Sequence, residues 1–259
     1  MKLAFLYTIW TGDDMEMLQR SIEQHLPHVD GVFLCFQNIS NKGEYSNQHL
    51  PPIFGENKLH YLPFHPNLDV NTKENERIKH DLMIQEAKKQ GFTHFIMGAC
   101  DHFYSKETFY NAKKIHTELD PDVTFTKMIT YYKQENWVLW PLENYYMPFI
   151  HKMYPNTGIL ANVRYPVLVD PSVKVSPFMH GYVMDEKEGI LHHYSMIRTD
   201  IQKKFRNAAS SIRWSENQVK TFISEYENAK IGDKITYFKG AELVDVSEVL
   251  DWMDKTHKT

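Results

Sequence analysis

Gly91-Phe92-Thr93-His94-Phe95-Ile96-Met97-Gly98-Ala99-Cys100-Asp101-His102-Phe103-Tyr104 is an apolar run that opens onto a carboxylate, an imidazole and a phenol in quick succession. Phe95 to Ala99 reads as a buried strand. A strand ending in Asp101-His102 delivers these side chains to the carboxyl edge of a sheet, where open α/β folds bind their ligands. An anion held through a metal ion is the chemistry such a pair would serve. The plainer role for Asp101 is to cap a helix beginning near Ser105, or to shape the turn before it. Both readings stand at this point.

Working outward, the first hundred residues alternate as a βαβ layout requires. Lys2 to Trp10 reads as a first strand, Thr11-Gly12-Asp13-Asp14 as a capping box, and Met15 to Leu26 as a helix with Met15, Leu18, Ile22 and Leu26 on one face. Gly31 to Phe36 is continuous enough for a central parallel strand, whereas Lys58 to Phe64 is weakened by Pro63. Gln37 to Asn57, between them, reads as a long polar loop. Asn71 opens a helix that runs to Gln90, with Ile78, Leu82, Met83 and Ala87 on its inner stripe and Gly91 closing it. Ser105 to Leu119 reads as a further helix and Val123 to Tyr132 as a strand. Tyr165 to Val169 and Val173 to Val175 are short strand candidates. Thr199-Asp200-Ile201-Gln202 and Ser215-Glu216-Asn217-Gln218 have capping-box spacing, so the last quarter reads as helical, with a charged tail over 246 to 259 that frays.

Composition narrows the class. The 259 residues are 42% hydrophobic and 24% charged, ordinary for a folded globular chain. With 29 Lys and Arg against 33 Asp and Glu, the formal net charge of -4 supplies no global field for nucleic acid or anionic membranes, so a DNA substrate would need a local basic face. Cys35 and Cys100 lie inside strand-like runs and suit reduced, buried thiols in an intracellular protein. No apolar segment has the length of a membrane span. The N-terminal apolar run meets Thr11-Gly12-Asp13 in place of a cleavage site, so it reads as a strand and not as a signal peptide.

The order of strands and helices, the strand ending Asp101-His102-Phe103-Tyr104, and the later His192-His193-Tyr194-Ser195-Met196-Ile197-Arg198 together resemble the A-type glycosyltransferase fold. The likeness is to family 2-like glycosyltransferases of bacteria and bacteriophages. It implies an α/β, Rossmann-like nucleotide-diphospho-sugar transferase core over residues 1–213, with 214–259 a helical extension packed on the same domain. In that family a strand ends in Asp-any-Asp, whose last Asp binds the metal and the sugar diphosphate. Asp101 matches this last Asp, and Ala99 stands where the first would be. The implied cofactor is Mn or Mg. Metal candidates are Asp101 with His193 or His192, of which only one can face a given site because neighbours on a strand point to opposite sides.

Further roles follow from the resemblance. Thr8, Trp10 and Asp13 occupy the loop where such enzymes hold base and ribose, and Gln37 and Asn38 end the second strand beside it. Arg77 and Lys79 lie on the helix before Asp101, and Arg198 on a segment that closes over the diphosphate. Trp10 suits base stacking and core packing equally. Lys203 and Lys204 read better as the solvated face of a helix. Glu143 is the candidate for the base that accepts the acceptor proton, with Asp170 its rival, although Asp170 before Pro171 also suits a turn. The expected partners are a nucleoside diphosphate sugar, UDP-linked in the first instance, and a hydroxyl acceptor: a glycan, a lipid-linked saccharide or a modified DNA base. A monomer or small homo-oligomer in the cytoplasm of a bacterial or phage-infected cell is the expected setting. A non-catalytic nucleotide-sugar or glycan-binding protein, its metal motif degenerate, is the alternative.

Overall fold

The computed structural model describes residues 1–50, 56–207 and 214–256. The first half alternates β1 (Leu3–Trp10), α1 (Met15–His25), β2 (Gly31–Gln37), β3 (Leu59–Pro63), α2 (Thr72–Lys89), β4 (His94–Gly98), β5 (His102–Tyr104) and α3 (Lys106–Leu119). Strands then dominate: β6 (Val123–Tyr132), β7 (Gln134–Trp140), β8 (Met147–Lys152), β9 (Gly158–Ile159), β10 (Val175–Ser176), β11 (Gly181–Val183) and β12 (Ile190–Met196). The chain ends in α4 (Ile201–Asn207), α5 (Glu216–Asn228), β13 (Lys234–Ile235), β14 (Ala241–Asp245) and α6 (Val246–Thr256).

Strands β3, β2, β1 and β4 pair in parallel in that order, and β8 then runs antiparallel to both β4 and β6. From β6 the sheet continues through β7 and β14 to β13, while β12 lies between β6 and β5. This is an α/β fold with a mixed central sheet, parallel over β3, β2, β1 and β4. Its parallel half is covered on both faces, which is why those strands read as unbroken apolar runs. Along β1, Leu3, Phe5, Tyr7 and Ile9 face Leu18 and Ile22 of α1 and Phe109, Ala112 and Ile115 of α3. The alternate residues Ala4 and Leu6 face Met83, Ile84 and Ala87 of α2. Gly98 ends β4 without a side chain because a Cβ there would lie 1.9 Å from Phe5 Cε1.

Several elements depart from the sequence expectations. Thr11 to Asp14 is a turn whose Asp14 carboxylate accepts the Trp10 amide at 2.7 Å, so α1 starts without a side-chain cap. The α2 stripe is rotated: Ile78 and Leu82 are exposed, while Asn75, Lys79, His80, Met83, Ile84 and Ala87 are buried. Lys79 lines a polar cavity at the sheet edge and Asn75 bonds the Asn67 backbone, contacts that apolar periodicity does not register. The loop after β2 is ordered by Ser40, whose hydroxyl accepts the amides of Lys42 and Glu44, although residues 51–55 of it lie outside the described residues. Tyr165 to Val169 is irregular, and Val173 ends a short 3-10 turn before β10.

The C-terminal quarter is not wholly helical. Ser215 and Gln218 form the expected capping box of α5, but β13 and β14 follow, and β14 extends the main sheet along β7. Helix α4 is capped by Asp200, which accepts the Lys203 amide, in place of Thr199, which bonds Glu16. In place of a fraying tail, α6 packs Val249 and Met253 against β6, β7 and β12 residues, and residues 257–259 lie outside the described residues. The domain boundary expected at 213/214 falls at the end of the undescribed stretch 208–213. Among the described residues no helix is long and apolar enough to cross a membrane.

Candidate active site

The β4 strand stops at Gly98, and the chain turns through Ala99 to Asp101 with the His102 amide donating to the Ala99 carbonyl. This turn leaves Asp101 at the carboxyl end of the parallel strands. Its carboxylate does not cap α3, because Ser105 fills that role by accepting the Thr108 amide at 3.1 Å. Instead Asp101 Oδ2 accepts from Arg198 Nη2 at 2.7 Å and from Lys204 Nζ at 3.4 Å. Asp13 Oδ2 lies 3.8 Å from Arg198 Nε and 3.9 Å from Lys204 Nζ, so two carboxylates and two cations alternate in one cluster. Burial by itself would raise the Asp101 carboxyl, but the Lys204 and Arg198 charges hold it well below the usual range. Asp13 is raised by burial despite the same cations, and Asp14, buried behind it, is pushed up to about 6. Lys204 thus turns inward, in place of joining the solvated helix face expected of it.

The other oxygen, Asp101 Oδ1, faces His102 Nε2 at 3.9 Å. Strand β12 brings His193 alongside: its register pairs His193 with His102 on β5 and with Thr130 on β6. The His102 and His193 rings are 5.2 Å apart, edge to face, and Asp101, His102 and His193 offer ligand atoms all within 4.8 Å of one another. Burial lowers both imidazoles, His193 to about 3, so they are neutral at pH 7. His102 Nδ1 and His193 Nδ1 are buried without a hydrogen-bond partner. A carboxylate oxygen beside neutral imidazoles with unspent nitrogens is a donor set that fits a divalent cation. His192 points to the opposite face, where its Nδ1 and the Tyr131 hydroxyl are 2.8 Å apart, so the structure brings His193 and not His192 to Asp101.

The row extends to Glu143. Thr130, opposite His193, donates its hydroxyl to Glu143 Oε1 at 2.8 Å. Burial raises the Glu143 carboxyl above its ordinary range, against the lowering effect of the Thr130 hydrogen bond. Asp170 is exposed, and its contacts are local: it accepts the Ser172 amide and hydroxyl at the start of a 3-10 turn, as the turn reading of Asp170-Pro171 requires.

A cavity of about 170 Å³ opens beside the Asp13 and Lys204 pair and is lined by Thr8, Trp10, Gln37, Asn41, Glu76 and Lys79 among others. Lys79 is buried and pairs with Glu76 at 2.7 Å, and Asn41 joins Glu76 to Gln37. Trp10 Nε1 and Gln37 Oε1 are buried there without partners. A second cavity of about 580 Å³, lined by Thr11, Phe36, Asn38, Gln48, His49, Leu50 and Tyr61, lies at the ends of β2 and β3. Of the donor-side candidates, Thr8, Trp10, Asp13, Gln37 and Lys79 thus share one cavity, Asn38 lines the next, and Arg198 holds Asp101. Arg77 joins neither: it lies on the surface of α2 between Glu74 and Asp81, at 2.6 and 2.5 Å. Sequence reasoning missed Glu76 and Asn41, and it assigned Lys204 to a solvated helix face. The spacing of Glu76 and Lys79, three apart on a helix, was the available signal for the first.

No protein-family model matches the chain, and no curated protein does. Solved structures that align with it include residues 1–349 of S. aureus TarS, at 13% identity over 88% of this chain and 71% of that one, with a TM-score of 0.46. The same fragment in complex with UDP aligns at 11% identity, 88% and 71% coverage and a TM-score of 0.47. In complex with UDP-GlcNAc the figures are 14%, 88%, 72% and 0.44. Against a longer TarS structure the chain spans 43% of the length.

Proposed function

We propose that the protein transfers a sugar from a nucleoside diphosphate sugar, UDP-linked in the first instance, to a hydroxyl acceptor. The observation that carries this reading is the meeting, at the carboxyl ends of β1, β2 and β4, of Asp101, two cations and a polar cavity lined by the donor-side candidates. Arg198 and Lys204 would pair with phosphate oxygens once they exchange their present carboxylate partners for the ligand. Trp10 Nε1 and Gln37 Oε1 offer a donor and an acceptor to the nucleoside, and Asn38 extends this edge toward the larger cavity. Asp101 and His193 would hold a divalent cation, Mn or Mg, which when bound neutralises the charge of the diphosphate leaving group. The acceptor oxygen bonds to the anomeric carbon as the bond to the diphosphate breaks, and its proton passes to Glu143. A carboxylate raised by burial is a stronger base than a solvated one, which suits this role. Thr130 holds the Glu143 carboxylate in place. The acceptor class remains that of the resemblance: a glycan, a lipid-linked saccharide or a modified DNA base.

The second reading, a binding protein without turnover, is favoured by Ala99 in place of an acidic residue and by the ion pairs that now engage Asp101. Calorimetry with UDP, followed by an assay of UDP release from UDP sugars in the presence of Mn or Mg, separates the two. Binding with release above background is the expected result. Binding without release selects the binding protein, and no binding of UDP overturns a UDP-linked donor for either reading. Glu143→Gln should lower kcat by about 10²- to 10⁴-fold with little change in UDP affinity. An equal loss of UDP affinity would remove Glu143 from the acceptor side.

A further inference from the structure

We infer that Tyr7, Ser21, Gln24 and His25 are positioning residues: one face of α1, braced on β1, stands in for a missing strand along the open edge of β5 and so fixes Asp101 at the site. This rests on the transferase reading only for what the fixed carboxylate serves.

Strand β5 is three residues long and, among the described residues, pairs with β12 alone. The other edge of such a strand presents backbone groups that a neighbouring strand would ordinarily bond. Side chains of α1 bond them instead. Ser21 Oγ donates to the His102 carbonyl at 3.3 Å, Gln24 Nε2 donates to the Tyr104 carbonyl at 2.9 Å, and the Tyr104 amide donates to His25 Nε2 at 3.3 Å. Residues 21, 24 and 25 share one side of the helix, at spacings of three and four. The same helix gives Leu18 and Ile22 to the core, so packing does not call for polar groups at 21 and 25, both of which are fully buried. Asp101 is the residue before β5, and its own carbonyl accepts the Tyr194 amide at 2.8 Å from the β12 side. Its main chain is therefore held between β12 on one edge and α1 on the other.

The hydrogen bonds run in one direction. A backbone amide only donates, so His25 Nε2 carries no proton, and the ring, kept neutral by burial, has its proton on Nδ1. Nδ1 donates to the Tyr7 hydroxyl oxygen at 2.7 Å, the Tyr7 hydroxyl donates to Ser21 Oγ at 3.0 Å, and the Ser21 proton is left for the His102 carbonyl. The relay thus starts at Tyr104 and returns to His102, with Tyr7 of β1 in its middle. Removing one hydroxyl leaves a buried group without its partner and frees the strand edge. None of these four residues, and none of β5, lines the donor-side cavity, so the tether acts on the site through Asp101.

The test sets Tyr7→Phe and Ser21→Ala, which remove one hydroxyl each, beside Ile22→Val, which trims the same helix in the core without touching the relay. Urea denaturation finds the conditions under which all three are folded. There the two hydroxyl variants should lower kcat for UDP release from a UDP sugar at least about 10-fold, with UDP affinity held within about 3-fold, because a displaced reacting group costs rate before it costs ligand contacts. Ile22→Val should keep kcat. Hydrogen exchange read by mass spectrometry should quicken at least about 10-fold over residues 102–104 in the hydroxyl variants, and not over β4. The nitrogen NMR signals of His25, assigned by their loss in His25→Gln, should show Nδ1 protonated and Nε2 bare. A proton on Nε2, exchange over 102–104 unchanged by both hydroxyl variants, kcat unchanged in both, or an equal loss of kcat in Ile22→Val would each overturn the inference. The exchange and nitrogen measurements need no turnover, so a protein that binds UDP without turning over a UDP sugar still leaves the tether to be judged, and a failed tether leaves UDP release to be judged on its own.

Discussion

Asp101→Asn is expected to lower transfer by at least about 10³-fold and to destabilise the fold by about 3–5 kcal/mol. Both effects have the same origin. Arg198 and Lys204 lose the carboxylate that compensates them, and Arg198, 7% exposed, has little water to turn to. Removing one partner of a buried ion pair costs more than the pair is worth, because the remaining charge keeps its desolvation penalty. Asp13, at 3.8 and 3.9 Å from the two cations, takes up part of the loss, which places the cost toward the lower end. On the proposed function, the neutral amide would no longer offer a charged oxygen to a divalent cation or hold Arg198 and Lys204 in place. Urea denaturation gives the stability change, and transfer is then measured where the variant remains folded. Full turnover in folded Asp101→Asn would remove this residue from the chemistry, whatever happens to stability.

The second large effect is acid lability. His25, His80, His116 and His151 are all buried, and desolvation lowers them to about 3, 4, 4 and 3. Their folded values lie below the ordinary histidine value near 6.5, so the unfolded chain binds protons first as the pH falls. Stability is therefore held above about pH 6.5 and lost below it. At pH 5 each histidine costs about 2 kcal/mol, a group total that rivals the whole stability of a typical domain. Asp14 acts in the opposite direction: with its folded value raised to about 6, it is protonated in the native state first and returns about 1 kcal/mol over the same interval. The net expectation is a loss of several kcal/mol between pH 7 and pH 5, read as a falling urea midpoint. A flat midpoint across that range would contradict the neutral burial of these histidines.

What could be read from the chain was what burial on two faces writes into it. Strands β1, β2 and β4 are continuous apolar runs because helices cover both sides, and Gly91, at φ +73 after α2, marks its end as a helix-closing glycine should. The position of Asp101 at a strand end was legible for the same reason. Strand β7 begins with the exposed Gln134-Glu135-Asn136 and carries no such signature, and β13 and β14 are too short to show a period. The rotated stripe of α2 has a different cause: Asn75 and Lys79 are inside because each has a polar partner there, Asn75 exchanging hydrogen bonds with the Asn67 backbone and Lys79 donating to Glu76. Likewise Lys204 is indistinguishable in sequence from Lys203, and only the fold puts it beside Asp101 and Asp13. Long-range pairing of polar groups leaves no periodic trace.

The adjacent histidines of β12 have one more consequence. Strand register decides which of two side chains enters a site, and a slip of a single residue ordinarily exchanges an inward group for an outward one. Here such a slip replaces one imidazole by another: His192 would come round to Asp101 and His193 would go out toward Tyr131. The pairing irregularity between His193 and Met196 lies immediately downstream, where a strand absorbs such an offset. After such a slip an imidazole would still stand beside Asp101, whereas a strand carrying one histidine would leave that position without one.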